Sequence, residues 1–233
     1  AAPMIETVAG TGETEPNLFT GPGAKVNISH PCGVEIGPDG FMYISENGNC
    51  RIFKMDMKTG LLECIAGTGE KGFSGNGGPA LKARFSSTYE VRVDSKGTIY
   101  VAERLNHVIR KIDKDGIIHP FIGNGVDEYS GDGGSADKAG ISQPHSFVID
   151  EARGVLYMAD IGNQRIRRIN MKTGIIETMI GDGKKKALPV SGKPLKGQTI
   201  KGPRALALDG DTLWVALREG NSVWKIDLDK ERI

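Results

Sequence analysis

The sequence predicts an all-β fold built from repeated four-stranded sheets, and three observations support this. The chain resembles itself in four places, which begin at Ile28, Phe85, Ile141 and Ile200 and lie 57, 56 and 59 residues apart. Glycine accounts for 33 of the 233 residues, about twice its usual share, which indicates many tight turns. No long segment shows the apolar period of 3.6 residues that is typical of a helix.

Each repeat contains four short strands in the same order. The first strand is apolar, and we expect it to be the innermost of its sheet: Val34–Ile36, Val91–Val93, Phe147–Ile149 and Leu206–Leu208. The second and third strands are joined by a polar turn that ends at an asparagine: Asn49, Asn106, Asn163 or Asn221. Asn49, Asn106 and Asn163 favour left-handed or capped turns. The fourth strand ends in a glycine turn. Every repeat should therefore form a four-stranded antiparallel sheet, with no helix longer than about three turns.

A lone four-stranded sheet cannot bury both of its faces, whereas sheets stacked around an axis can. The chain is therefore predicted to be a single β-propeller domain over residues 1–233, with repeats at approximately 5–60, 61–116, 117–174 and 175–233. Six such blades would need about 340 residues. The chain is either part of a six-bladed ring, which we favour, or a smaller closed ring in which the strand-like Ile5–Gly10 lies beside Val223–Leu228.

Five segments carry a family resemblance that covers nearly the whole chain: Val8–Gly12, Gly75–Ala80, Ile99–Glu103, Asn106–Asp113 and Gly131–Ala136. They resemble the consensus of NHL repeats, and the chain is similar to the bacterial, exported branch of that family. The resemblance implies a six-bladed propeller that usually binds another molecule and is only sometimes an enzyme. It also implies a periplasmic or secreted protein. The initial Ala1-Ala2-Pro3 fits either signal cleavage or a remnant of an expression tag.

The composition excludes several classes of partner. Thirty basic residues against 29 acidic ones leave a net charge of +1, so no overall field attracts nucleic acid or an anionic membrane. No apolar run reaches the about 18 residues that a membrane span needs. The expected partner is a protein or a small-molecule ligand.

The three cysteines, Cys32, Cys50 and Cys64, are expected to form no disulfide. One strand should separate Cys32 from Cys50, which places them about 9–10 Å apart at about 4.8 Å per strand, beyond the reach of a disulfide. Cys50 and Cys64 fall on adjacent strands but out of register.

In each predicted blade, the start of the first strand shares a rim with the turn between the second and third strands. That rim surrounds one mouth of the central channel, where propellers usually bind ligands. Equivalent repeat positions place four side chains there, Cys32, Tyr89, His145 and Arg204, with Glu90 one residue further along. Positions that only pack should carry similar residues, whereas these differ and are polar or reactive. We therefore predict a ligand site at this mouth.

These side chains offer two kinds of chemistry. Cys32 and His145 suit zinc, so a divalent metal, zinc or calcium, is the cofactor that this mouth would take. Tyr89 offers a general base or a hydroxyl donor, and Arg204 offers a clamp for an anion. The alternative is that all four extend into channel water without a ligand.

The segment Gln143–Phe147 also resembles, more weakly, the zinc-histidine segment of peptidylamidoglycolate lyases, which are NHL propellers too. Cys32 stands where another histidine of that family would be. Two functions therefore stay open. The first is a non-catalytic binding module with its ligand site at the channel mouth. The second is a metal-assisted lyase or lactone hydrolase at the same mouth, which would need a preorganised group of side chains.

Acidic residues stand at the end of the second strands: Glu46, Glu103 and Asp160, with Glu219 in the irregular fourth turn. We expect the first three to accept hydrogen bonds from backbone amides of the following turn rather than to contact a ligand. The arginines of the third repeat, Arg165, Arg167 and Arg168, are expected on the surface of their strand.

Overall fold

The computed structural model describes residues 4–185 and 187–233, so Ala1–Pro3 and Lys186 lie outside the described part. Within that part the helices are short 3-10 turns of three residues: Gly23–Lys25, Ala80–Lys82, Arg104–Asn106 and Ala136–Lys138. None of them has the length or the apolar character needed to cross a membrane. The predicted all-β class is confirmed.

The strands form four antiparallel sheets. The first has the order β1-β5-β4-β3-β2, with β1 Thr20–Pro22, β2 Pro31–Ile36, β3 Met42–Glu46, β4 Arg51–Met55 and β5 Leu61–Ala66. The second runs in chain order through β6 Thr88–Val93, β7 Ile99–Glu103, β8 Val108–Ile112 and β9 Ile118–Ile122. The third does the same through β10 Pro144–Asp150, β11 Val155–Asp160, β12 Arg165–Asn170 and β13 Ile176–Ile180. The fourth contains β14 Pro203–Asp209, β15 Thr212–Leu217 and β16 Ser222–Asp227.

Two strand predictions are wrong. Within the described residues, the sheet of the fourth repeat has three strands rather than four. Ile5–Gly10 forms no strand, and the side chain of Ile5 is fully exposed. A strand is stable only when a neighbour pairs its backbone and one of its faces is buried, so a strand-like sequence is not sufficient. The first sheet instead gains β1, which pairs with β5 at Thr20 and Glu63.

The chain divides into two compact units, residues 1–101 with 111–119 and residues 102–110 with 120–233. We call them unit 1 and unit 2. The core of unit 1 contains Phe53 and Phe85, both inaccessible to solvent. The core of unit 2 is aliphatic and includes Ile166, Leu213 and Ile226, which are also fully buried. Each unit therefore buries apolar side chains from several strands.

The first two strands of a repeat form a hairpin, which brings the start of the first strand opposite the end of the second. The pairs are Pro31 with Glu46, Pro144 with Asp160, and Pro203 with Leu217. The ladder register shifts directly after each pair, which leaves Cys32, His145 and Arg204 in β-bulges. A bulge re-aims a side chain and interrupts the regular alternation of the strand. We call these bulges, with the turns after the second strands, the rim of their unit.

Candidate functional site

Left-handed backbone is concentrated at the rim. The residue before the first strand has a positive φ in all four repeats: His30 at 51°, Ser87 at 58°, Gln143 at 51° and Gly202 at 64°. The residue before the third strand does so in all four: Cys50, His107, Gln164 and Asn221. Such backbone is uncommon for side chains other than glycine and is frequent at functional sites.

The asparagines of the first three turns do not have the left-handed backbone that was one of the two predicted states. Among Asn49, Asn106 and Asn163, none has a positive φ, because the left-handed residue is the next one along the chain. Their side chains instead hold the acidic residue three positions earlier. Asn49 Nδ2 donates to Glu46 Oε1 at 3.0 Å, and Asn106 Nδ2 donates to Glu103 Oε2 at 2.6 Å. The asparagines therefore orient carboxylates.

The turn acids form buried ion pairs with arginines. Arg51 pairs with Glu46, Arg110 with Glu103, and Arg167 with Asp160, and all six side chains are inaccessible to solvent. The expectation of a surface Arg167 is therefore wrong. The backbone donors also come from a different place than predicted, because Ser29 N donates to Glu46 at 2.7 Å and precedes the first strand. These acids are structural groups of the rim.

Burial raises the pKa of Asp160 to about 6. Hydrogen bonds from Asn163 and the Ser142 amide, together with the charge of Arg167, act in the opposite direction. The carboxylate is therefore ionised at pH 7 and is held in place by three elements of unit 2.

Unit 1 contains the predicted site residues Cys32, Tyr89 and Glu90. Cys32 is exposed in its bulge, and partial burial raises the pKa of its thiol, with Glu90 acting in the same direction. A hydrogen bond from Asn47 has the opposite effect. The Tyr89 carbonyl accepts a bond of 3.1 Å from the Ser45 hydroxyl, so its position is fixed through the backbone.

Unit 2 contains His145 and Arg204. Burial lowers the pKa of His145 to about 4, and the positive charges of Arg204, Arg104 and Arg218 lower it further. The imidazole is therefore neutral at pH 7. Arg104, Arg204 and Arg218 are therefore the cations whose charge acts on this side chain. We call Arg104, His145, Arg204 and Arg218 the basic rim.

Separate elements position these arginines. Arg104 follows β7, and its Nη2 donates to Gln143 Oε1 at 2.7 Å, two residues before His145. Arg204 lies in the bulge of β14, where Leu206 N donates to Ser146 Oγ at 3.2 Å and so ties β14 to β10. Arg218 follows β15, and its backbone N donates to Gly202 O at 2.8 Å.

Sequence reasoning identified two members of the basic rim and missed Arg104 and Arg218. A signal was present, because these residues occupy one repeat position, 57 residues on either side of Ile161. Each directly follows the last residue of a second strand. An alignment of the repeats at the residue after each second strand therefore identifies both arginines.

Arg153 and Arg168 line a different cavity of about 540 Å³ in unit 2. It lies at the end of the paired strands β11 and β12 that is farther from the rim. Arg153 contacts Asp150, Asp211 and Asp229 there. By contrast, in the described part of the chain no carboxylate forms an ion pair with Arg204 or Arg218.

Over residues 4–185 and 187–233, no three or more His, Cys, Asp or Glu side chains are grouped closely enough to hold a metal ion. All three cysteines are outside disulfides, which confirms that prediction. The convergence of Cys32, Tyr89, His145 and Arg204 on one mouth stays a prediction, as does a metal at Cys32 and His145.

Comparison with known proteins identifies relatives of the chain. No protein-family model matches the chain. NHL repeat-containing protein 2 of Bos taurus is 26% identical over 262 residues, covering 100% of this chain and 36% of that protein. The chain is a relative of NHL-repeat proteins over its whole length. The predicted β-propeller of NHL repeats is confirmed, whereas the number of blades stays a prediction. The chain spans about a third of that relative.

Solved structures share the fold of this chain. An auxiliary nutrient binding protein from Bacteroides thetaiotaomicron has a TM-score of 0.60 and 18% identity, covering 83% of this chain and 46% of that one. Virginiamycin B lyase from Staphylococcus aureus has a TM-score of 0.54 and 17% identity, covering 86% and 53%. At these identities the likeness concerns the fold, which serves both binding and catalysis.

Proposed function

We propose that this NHL chain is a non-catalytic binding module whose ligand site lies at the rim, with the basic rim of unit 2 as its best-defined part. The observation that supports this most is that the positive charges of Arg104, Arg204 and Arg218 all act on the one side chain of His145. Side chains that only stabilise a fold are paired when charged, as the buried acids and arginines are here. Arg204 and Arg218 form no such ion pair within the described part of the chain, and arginines without a carboxylate partner are typical of a binding surface.

Binding fits His145 better than proton transfer does. A general base works best when its pKa lies near the working pH. The pKa of about 4 keeps His145 neutral at pH 7 but makes it a weak base. The imidazole is therefore suited to donate or accept a hydrogen bond to a ligand. The lyase or lactone hydrolase alternative would require a stronger base elsewhere.

The Bacteroides neighbour is described as a nutrient binding protein, which agrees with a binding role, and the resemblance to exported NHL proteins implies export. We extend both to this chain as part of the proposal, with a periplasmic or secreted location. The partner would then be a small polar molecule or a protein met outside the cytoplasm.

Ligand-observed NMR tests the proposal. The protein is mixed with a library of monosaccharides, dipeptides, dicarboxylates and sugar phosphates, and the same spectra are followed for conversion of each compound. We expect at least one compound to bind, to be lost in the double variant His145→Ala, Arg204→Ala, and to stay unconverted. The exposed Lys225 on β16 supplies the control variant Lys225→Ala, which should bind normally. Turnover of the bound compound, or no binding by any class, would overturn the proposal.

A further inference from the structure

We propose that unit 2 has a second binding site, for a neutral sugar, in the cavity at the end of β11 and β12 that is farther from the rim. We call it the far cavity. Its wall includes Val155, Tyr157, Arg168, Asn170, Glu177 and Leu228. The far cavity shares no residue with the basic rim, so this site goes beyond the proposed function.

One face of the third sheet forms most of the wall. Tyr157 pairs with Arg168 across β11 and β12, and Arg168 pairs with Glu177 across β12 and β13. Residues paired directly opposite each other lie on the same face of a sheet. The residues that alternate with them, such as Leu156 and Ile169, point to the other face and are inaccessible to solvent. The far cavity is therefore built on paired strands, which hold its side chains in place.

Tyr157 brings a free hydroxyl to the far cavity. In the first two repeats the equivalent hydroxyl donates to an aspartate of the turn before its strand, over 2.9 Å and 3.1 Å: Tyr43 to Asp39 and Tyr100 to Asp94. In the third repeat Arg153 Nη1 donates to Asp150 Oδ2 at 3.1 Å and takes the place of the tyrosine. Within residues 4–185 and 187–233, the Tyr157 hydroxyl has no hydrogen-bond partner, although the residue is only 4% exposed. A buried hydroxyl normally has such a partner, which a ligand in the far cavity would supply.

Asn170 also departs from the repeat pattern at the far cavity. The other three repeats have an aspartate at this position, at the end of the third strand: Asp56, Asp113 and Asp227. Asn170 Oδ1 holds the following turn by accepting from Lys172 N and Thr173 N at 3.0 Å each, and the aspartate of the first repeat does the same. The amide adds Nδ2, whose two N–H groups have no acceptor within the described part of the chain. The turn does not require that donor, whereas a ligand in the far cavity can accept from it.

The charged side chains of the wall are already paired, which favours a neutral ligand. Arg168 contacts Glu177 and Glu231, and Arg153 contacts three aspartates. A charged ligand would have to break one of these pairs or enter without a counter-charge. A hydroxyl group can accept from one of the free donors and donate to a carboxylate oxygen at the same time. Adjacent hydroxyls therefore suit this mixture of donors and acceptors better than an ion does.

The size of the far cavity and the apolar part of its wall fit a sugar ring. The cavity has a volume of about 540 Å³, which lies within the range of about 300–1,000 Å³ that is usual for small-molecule sites. Val155, Ile175 and Leu228 give part of the wall an apolar surface, against which the C–H groups of a ring can pack. A sugar presents both C–H groups and hydroxyls to such a wall.

Saturation-transfer NMR titrations test the proposal with glucose, galactose and mannose as probes. Each sugar is compared with its 2-amino form, which is a cation, and with its uronate, which is an anion. We expect at least one neutral sugar to bind, and its two charged forms to bind at least about tenfold more weakly, because each brings an uncompensated charge. No binding by any of the three neutral sugars, or equal binding of a charged form, would overturn the proposal.

Matched variants test the residues of the wall. Tyr157→Phe removes the free hydroxyl and keeps the ring, so it should weaken binding about fivefold, the loss of one neutral hydrogen bond, without lowering the midpoint of thermal unfolding. Asn170→Asp keeps the acceptor for the turn and removes the Nδ2 donor, and it should weaken binding by at least as much. Tyr43→Phe is the control, because it removes a hydroxyl that bonds within unit 1. It should lower the midpoint and leave the affinity within about twofold. Equal losses of affinity in Tyr43→Phe and Tyr157→Phe would mean that the fold is affected and that the proposal is wrong.

The double variant His145→Ala, Arg204→Ala separates the far cavity from the rim. Sugar binding at the far cavity should persist in the double variant and weaken in Tyr157→Phe, whatever the rim binds. Sugar binding that disappears in the double variant and is unchanged in Tyr157→Phe would place the sugar at the rim. The far cavity would then be excluded as the sugar site, and the proposed function would stand.

Discussion

Arg51 Nε lies 2.5 Å from Glu46 Oε2, and neither side chain reaches solvent. The guanidinium also donates to Asn27 O at 3.1 Å and faces the ring of Phe53, with 4.7 Å between Cζ and the ring centroid. The pair therefore links the loop before β2 to the turn between β3 and β4. Glu103 with Arg110 and Asp160 with Arg167 repeat the arrangement in the next two repeats.

Removing one partner of this pair should be costly. Arg51→Met leaves the Glu46 carboxylate buried without its counter-charge, so we expect the free energy of unfolding to fall by about 3–5 kcal/mol. Urea denaturation measures the change. Arg84→Met is the control, because its pair with Glu70 is exposed and should contribute no more than about 1 kcal/mol.

Charge and packing can be separated in the same background. The double variant Glu46→Gln, Arg51→Met removes the stranded charge while keeping the shape of the residue. It should recover a clear part of the lost stability. No recovery would mean that the loss comes from the packing of Arg51 against Phe53.

The sequence predicted a surface position for Arg167, because an arginine on a strand is usually exposed. Its burial depends on Asp160, which lies seven residues earlier, as Glu103 does before Arg110. The spacing of seven residues between the acid and the arginine is visible in the sequence. It indicates a buried ion pair, which the positive charge of Arg167 alone does not. The strands themselves were predicted well, since the glycine turns and the repeat register locate them.

Gly67 and Gly69 offer a test of the turn that ends the fourth strand. Both have a positive φ, of 95° and 89°, but a Cβ on Gly67 would lie 2.3 Å from Cys50 O, whereas nothing surrounds one on Gly69. Gly69→Ala should cost about 1 kcal/mol from backbone strain alone. Gly67→Ala should cost at least about 2 kcal/mol more, because backbone atoms must move. Equal midpoints of thermal unfolding would contradict this.

The cysteines should differ in reactivity. Cys32 is exposed, whereas Cys64 is buried and burial raises the pKa of its thiol to about 12. The thiolate is the reactive form, so Cys64 should be inert in the folded protein. A disulfide-exchange reagent should therefore modify Cys32 alone under native conditions and all three thiols in denaturant. A total of one thiol in denaturant would indicate a disulfide and contradict the structure.

The candidate site was less predictable than the fold, and His145 shows why. His145 and Arg204 occupy equivalent positions in their repeats, which predicted that they lie on one rim. The neutral state of His145 also depends on its burial and on Arg104 and Arg218, which come from other turns. Arg104 donates to Gln143, two residues before His145, and that hydrogen bond joins residues 39 positions apart. Sequence spacing does not report such contacts, because each depends on how one repeat packs on the next.

The pKa of His145 makes stability depend on pH in a definite direction. The ordinary pKa is about 6.5, and in the folded protein it is about 4. As the pH falls between these values, the unfolded chain takes up a proton that the folded protein does not, so the free energy of unfolding decreases. Asp160 has the opposite effect, because its raised pKa of about 6 lets the folded protein take up a proton first.

The comparison of wild type with His145→Asn isolates the histidine, since Asp160 is common to both and cancels in the difference. We expect wild type to lose stability relative to His145→Asn as the pH falls from about 7.5 to about 4.5, with most of the change below the unfolded pKa. Urea denaturation at each pH measures the difference. The double variant Arg204→Ala, Arg218→Ala should reduce the slope, because removing positive charge from around His145 raises its folded pKa. A difference that does not vary with pH would mean that His145 titrates normally and that the three arginines do not act on it.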